Sequence, residues 1–116
     1  MSGEDKLARI FKVLSVETRV RIVRLLRADC LCVNALACRL GVTPAAVSQH
    51  LRILRDAGLV IPEKRGYFVH YRLNRDTLRN WRELAAEFLG KPDGNSDQGG
   101  KVCAKKRIAD ATIRRD

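Results

Sequence analysis

The sequence is short of acidic side chains, short of cysteine and without any long apolar run. Across 116 residues, 13 Asp and Glu stand against 23 Lys and Arg, a formal net charge of +10. Such an excess points to a polyanionic partner, most simply nucleic acid, although solubility alone would also account for bare charge. Four cysteines are too few for a disulfide scaffold. No apolar stretch approaches the ~18 residues that cross a bilayer, so no membrane partner is expected. The start, Met1 to Asp5, is acidic and lacks an apolar core, so no secretory signal is expected and a cytoplasmic location follows. In that compartment thiols stay reduced, and the cysteines become candidates for metal or redox chemistry. There is no acid–base pair, no nucleophile constellation and no phosphate loop, so an enzyme is not expected, nor any organic cofactor. No internal repeat is present.

What is present is a globular composition, 46% hydrophobic, arranged in helical stripes. Leu7, Ile10, Phe11 and Leu14 recur at i, i+3, i+4 and i+7. A second helix is predicted over 17–29, with Val20, Ile22, Val23, Leu25 and Leu26 inside and Arg19, Arg21, Arg24 and Arg27 outside. A short third helix covers 33–40, stopped by Gly41. Thr43-Pro44 then reads as an N-cap followed by proline at the first helical position, opening a helix to about residue 57. Residues 59–64 and 67–73 read as two strands around Arg65-Gly66, with Pro62 marking the first as an edge. A last helix over 75–89 carries Leu78, Trp81, Leu84 and Phe88 as its apolar face. Composition changes at Gly90: residues 1–89 form the domain, and 90–116 a flexible basic tail carrying Cys103.

A short helix, a turn through Gly41 and a helix opened by Thr43 make a helix-turn-helix, and the hairpin after it is placed like a wing. The fold class expected is therefore mainly α with a β-hairpin wing. In the fourth helix Val47, Leu51 and Leu54 form the buried stripe, while Ser48, Arg52 and Arg55, with Gln49 beside them, form the opposite face. Gln can pair bidentately with adenine and Arg with guanine in the major groove. Lys64 and Arg65 at the hairpin tip would meet phosphate or the minor groove. His50 lies between the core and groove faces, suited to packing or a phosphate contact, and His70 faces outward on the second strand as a wing contact. An ordinary amphipathic helix with a solvated face is the plain alternative. The agreement of turn, cap, polar face and basic hairpin argues against it.

The segment from Val16 to Leu73 resembles the ArsR/SmtB family of metal-sensing winged-helix repressors. The resemblance is carried by Glu17-Thr18-Arg19-Val20-Arg21-Ile22, Leu36 to Thr43, Ala46 to Val60 and Gly66 to Leu73. The Ser48-Gln49-His50-Leu51 run, followed by Ala57-Gly58-Leu59-Val60, is its most specific part. The resemblance implies a homodimer joined through the first and last helices, Leu7, Ile10, Phe11, Leu14, Leu78, Trp81, Leu84 and Phe88 forming the interface. It also implies double-stranded operator DNA, an inverted repeat, as the partner. The two stripes are also more than one small domain easily buries, although an intrachain core would use them too.

Arsenite-sensing members carry Glu-Leu-Cys-Val-Cys-Asp-Leu at the start of the third helix; here the matching stretch is Cys30-Leu31-Cys32-Val33-Asn34-Ala35-Leu36. Cys32 falls on the first family cysteine, Asn34 replaces the second, and Cys30 restores the Cys-x-Cys spacing two residues earlier. Soft ions select thiolates, and the resemblance implies three of them around As(III) as inducer, with Sb(III), Cd(II) or Pb(II) as alternatives. Cys30 and Cys32 supply two, given an irregular helix start. Cys103, fourteen residues beyond Leu89, reaches about 19–22 Å on a flexible linker and is the favoured third; Cys38 is the fallback. Small buried hydrophobes or an incidental thiol remain the plain readings of these cysteines. Zinc is disfavoured, because the family's zinc sensors use His and acidic residues of the last helix, and residues 75–89 contain no His. The expected function is a dimeric repressor released from operator DNA by arsenite or antimonite. The rivals are a cadmium/lead sensor, a thiol-redox switch and an effector-independent DNA-binding module.

Overall fold

The structure, a computed structural model, describes residues 3–90. Its order is α1 (Gly3–Val13), α2 (Glu17–Ala28), β1 (Leu31–Cys32), α3 (Val33–Leu40), α4 (Pro44–Asp56), β2 (Val60–Arg65), β3 (Phe68–Leu73) and α5 (Arg75–Leu89). One unit ends at Ala85; a second begins at Ala86, and only the last turn of α5 and Gly90 are described in it. The mainly helical architecture with a β-hairpin wing is the one the periodicities predict. Each predicted helix is present, and the two long strands are displaced from the expected bounds by a single residue.

Local chemistry explains the boundaries. The Gly41 backbone takes φ +70°, ψ 30°, a left-handed turn that closes α3 with its N–H donating to the Ala37 carbonyl at 2.9 Å. Thr43 Oγ1 accepts from the Ala46 N–H at 3.1 Å, and Pro44 occupies the first turn of α4. Asn74 Oδ1 accepts from the Thr77 N–H at 3.3 Å and caps α5 in the same way. Gly66, at φ +64°, makes the hairpin turn between β2 and β3.

The strand β1 was not expected, because two residues are too few to show a period. It pairs antiparallel with β3, Leu31 opposite Tyr71 and Cys32 opposite His70. The sheet order is β1-β3-β2, so β2 with Pro62 lies at an edge, as proline requires. Beneath the sheet, Ile22, Leu36, Val47, Leu51, Leu54, Leu59 and Val60 are essentially solvent-free, joining α2, α3, α4 and the wing base into one core. Burying each such side chain contributes about 1.5–3 kcal/mol before entropy is charged against it. No polar or charged residue is buried among the described residues. Within α2, Ile22 and Leu26 are buried, but Val20 is exposed rather than internal, and Arg19 turns inward.

Candidate nucleic-acid interface and thiol site

The face of α4 opposite its core stripe is polar and open. Ser48, Gln49, Arg52 and Arg55 are all exposed, while Val47, Leu51 and Leu54 behind them are sealed. Ser48, Arg52 and Arg55 follow one another at helical spacing, so the side chains rise along a single line. Thirteen residues give α4 a length of about 20 Å, enough to lie along a major groove. Arg55 Nε lies 3.9 Å from Asp56 Oδ1, an exposed pair too weak to hold it back from phosphate. Thr43 is placed at the helix entry with its hydroxyl committed to the cap.

His50 is half-buried on the flank of α4 and takes part in a three-helix junction. Arg19 of α2 donates from Nε to His50 Nδ1 at 3.3 Å, and from Nη1 to the Val13 carbonyl at the end of α1, at 3.1 Å. Burial and then the Arg19 charge push the His50 pKa below its ordinary value of 6.5. With Nδ1 accepting, the neutral ring carries its proton on Nε2 and remains a donor on that side. Arg9, Lys12 and Arg19 line a groove of about 550 Å³ beside Ile53 of α4, extending positive charge along the flank of that helix.

At the wing, Lys64 pairs with Val69 and Arg65 with Phe68 next to the turn, so both cations sit at the tip. Arg65 Nη2 donates to Glu63 Oε1 at 3.2 Å. His70 is two rungs further from the turn, opposite Glu63 on one side and Cys32 on the other, and its Nδ1 is buried without a hydrogen-bond partner. Sequence reasoning overlooked the tip aromatics: Tyr67 is fully exposed and Phe68 is 57% exposed. The signal was there, since two aromatics directly after a turn glycine have no core to enter.

Cys30 and Cys32 are free, half-buried thiols, and Cys38 is a free, exposed thiol on α3. Cys32 sits at φ −87°, ψ 170°, so the chain entering α3 is extended rather than helical. Side chains two apart on extended chain point to the same side. Among the described residues no group of three or more His, Cys, Asp or Glu is disposed to hold a metal ion. Cys103 and the tail beyond Gly90 lie outside the described residues.

Of the apolar stripes, Ile10 is buried within this chain, Leu7, Leu14, Leu78, Trp81 and Leu84 are half-buried, and Phe11 and Phe88 are 40% and 63% exposed. No residue of α5 is buried. Among the described residues no helix is long and apolar enough to cross a membrane.

Residues 17–61 match the model of the family described as bacterial regulatory protein, arsR family. An arsenical resistance operon repressor of Escherichia coli is 43% identical over 67 residues, 57% of each chain. An arsenic resistance transcriptional regulator of Pseudomonas putida is 38% identical over 76% of this chain and 67% of its own. A cadmium resistance transcriptional regulatory protein homologue of Staphylococcus aureus is 35% identical over 68% and 66%. Among solved structures, an ArsR-like transcriptional regulator from a Rhodococcus species superposes with TM-score 0.66 at 30% identity, covering 91% of this chain and 94% of that one. A homodimeric winged helix-turn-helix DNA-binding domain from Mycobacterium bovis superposes with TM-score 0.61 at 27% identity, over 77% and 83%. The chain thus spans little more than half the length of the E. coli repressor, and nearly all of the Rhodococcus regulator.

Proposed function

Because the chain belongs to the arsR family of bacterial regulatory proteins, we propose that it is a transcriptional repressor which binds operator DNA as a homodimer and releases it when arsenite or antimonite ligates its cysteine thiolates. The observation that carries this reading is the placement of two free thiols, Cys30 and Cys32, on extended chain at the entry to the first helix of the helix-turn-helix. Thiolate pairs select soft ions over hard cations. As(III) would be held by Cys30, Cys32 and a third thiolate, Cys103 from the tail, with Cys38 as the fallback. Cadmium and lead remain alternatives of the same chemistry, and the S. aureus relative is named for cadmium resistance.

On DNA, Gln49 and Arg52 would read base edges, with Ser48 beside them. Thr43, His50, Arg55, Lys64, Arg65 and His70 would hold phosphate or the minor groove. The dimer would close through the stripes of α1 and α5, as the lack of any buried residue on α5 favours. Drawing Cys30 and Cys32 around one ion changes the path of the chain into α3, and α3 is packed directly on α4. A tenfold loss of DNA affinity needs only ~1.4 kcal/mol of difference between the two states.

Anisotropy of a labelled operator duplex under reducing conditions tests this. Arsenite and antimonite should release the protein at lower concentration than cadmium, lead or zinc. Cys30→Ser or Cys32→Ser should abolish release while leaving apo-protein binding intact, and Cys103→Ser compared with Cys38→Ser identifies the third ligand. Release that survives the combined Cys30, Cys32 and Cys103 substitutions defeats the assigned site.

A further inference from the structure

Cys30 opens into a pocket that neither the recognition helix nor the wing tip shares. The pocket, about 300 Å³, lies where the end of α2 meets the junction of β3 and α5. Arg27, Arg72 and Arg75 line it, together with Cys30, Asp29 and apolar Leu26. Arg72 Nε also lies 3.9 Å from Glu63 Oε1, an exposed pair that leaves most of its charge available. Arg75 Nη2 donates to the Arg27 carbonyl at 3.2 Å, which fixes one guanidinium to the wall. Asp29 Oδ1 accepts from the Cys30 N–H at 2.8 Å, so the carboxylate lining the pocket is turned partly to backbone. At ~3.3 Å per strand residue, Arg72 stands about 20 Å from the wing turn at Gly66, too far to belong to the tip. A concave site lined by three arginines beside a free thiol suits an anion that carries an electrophilic sulfur.

We propose that this pocket docks an anionic low-molecular-weight disulfide and that Cys30 exchanges with it to form a mixed disulfide. The ligand's carboxylates pair with the guanidinium groups, and its sulfur is brought to Cys30 Sγ. Cys30 gives its proton to solvent, and the thiolate attacks one sulfur. A new Sγ–S bond forms as the incoming S–S bond breaks, and the other half leaves as a thiolate that takes up a proton. The disulfide is the oxidant: the Cys30 sulfur is oxidised and the departing sulfur is reduced. This modification does not depend on metalloid sensing, although a blocked Cys30 is withdrawn from any ligand set.

The test uses the full-length reduced protein with three probes: anionic glutathione disulfide, cationic cystamine and neutral 2-hydroxyethyl disulfide. Rates at each cysteine are followed by peptide mass spectrometry at low ionic strength. Cys30 should prefer glutathione disulfide over cystamine far more than Cys38 does, Cys38 lying outside the pocket. Arg72→Gln should slow glutathione disulfide at Cys30 about twofold, and the combined Arg27, Arg72 and Arg75 substitutions roughly tenfold, as expected for charges ~7 Å apart in water. The same variants should speed cystamine, and added salt should erase the preference. Equal charge preference at Cys30 and Cys38, or a preference that survives the triple variant, overturns the proposal. Should the triple variant fail to fold by circular dichroism, Arg72→Gln and the salt titration of the unaltered protein decide the matter.

Discussion

Single side chains on α4 divide between those that would carry sequence information and those that would carry charge. Arg52, central on the open face, should lose about 1–3 kcal/mol of operator binding on change to Ala and relax preference at one base position. Lys64→Ala, at the wing tip, should instead weaken binding to all duplexes alike and lower the salt slope by about one. Both outcomes are read by anisotropy titrations on matched and mismatched duplexes across a salt series. His50 has a different consequence. Its pKa is depressed in the folded chain, so below pH 6.5 the unfolded chain takes up the proton first. The stability it contributes is present above pH 6.5 and is lost as pH falls through that window toward the folded-state value. Urea midpoints measured between pH 7.5 and pH 5 should fall for the native sequence and fall less for His50→Gln, which keeps an acceptor for Arg19. The junction itself was not legible in the sequence. Arg19 reads as one more exposed arginine of a polar stripe, and only tertiary placement shows its guanidinium spanning Val13 and His50.

Elements were legible where chemistry punctuates the chain. Gly41 and the Thr43-Pro44 pair fixed the turn between α3 and α4 because a left-handed stop and a hydroxyl cap have few alternative uses. Thr43→Ala should cost about 1 kcal/mol, a fall in melting temperature of roughly 4–8 °C for a domain of this size, readable by calorimetry. Gly41→Ala should cost about 1–2 kcal/mol, because φ +70° is strained for any side chain. β1 escaped notice for the opposite reason: its two residues form a strand only because β3 offers an edge. Missing β1 also hid two neighbours of the thiols, the His70 imidazole across from Cys32 and the arginine-lined pocket at Cys30. The Cys-x-Cys spacing was visible, but its surroundings came from a strand some 40 residues away.

At the scale of the molecule, α5 is the element that one chain leaves unfinished, since none of its residues is buried. Leu84→Lys, on its half-buried face, should convert the protein from dimer to monomer by sedimentation equilibrium while the far-ultraviolet circular dichroism stays native. A dimer mass that persists would move the interface elsewhere. The helical stripes made that surface readable, because side chains at i, i+3 and i+4 must share a face whatever covers them. Arg19 then takes on a role larger than its two hydrogen bonds. In a dimer built on α1 and α5, the end of α1 and the flank of α4 are tied to one guanidinium. Subunit association and operator occupancy would thereby share a common free-energy term. Dilution would lower occupancy more steeply than independent half-sites allow, and operator DNA would strengthen the dimer by the same factor.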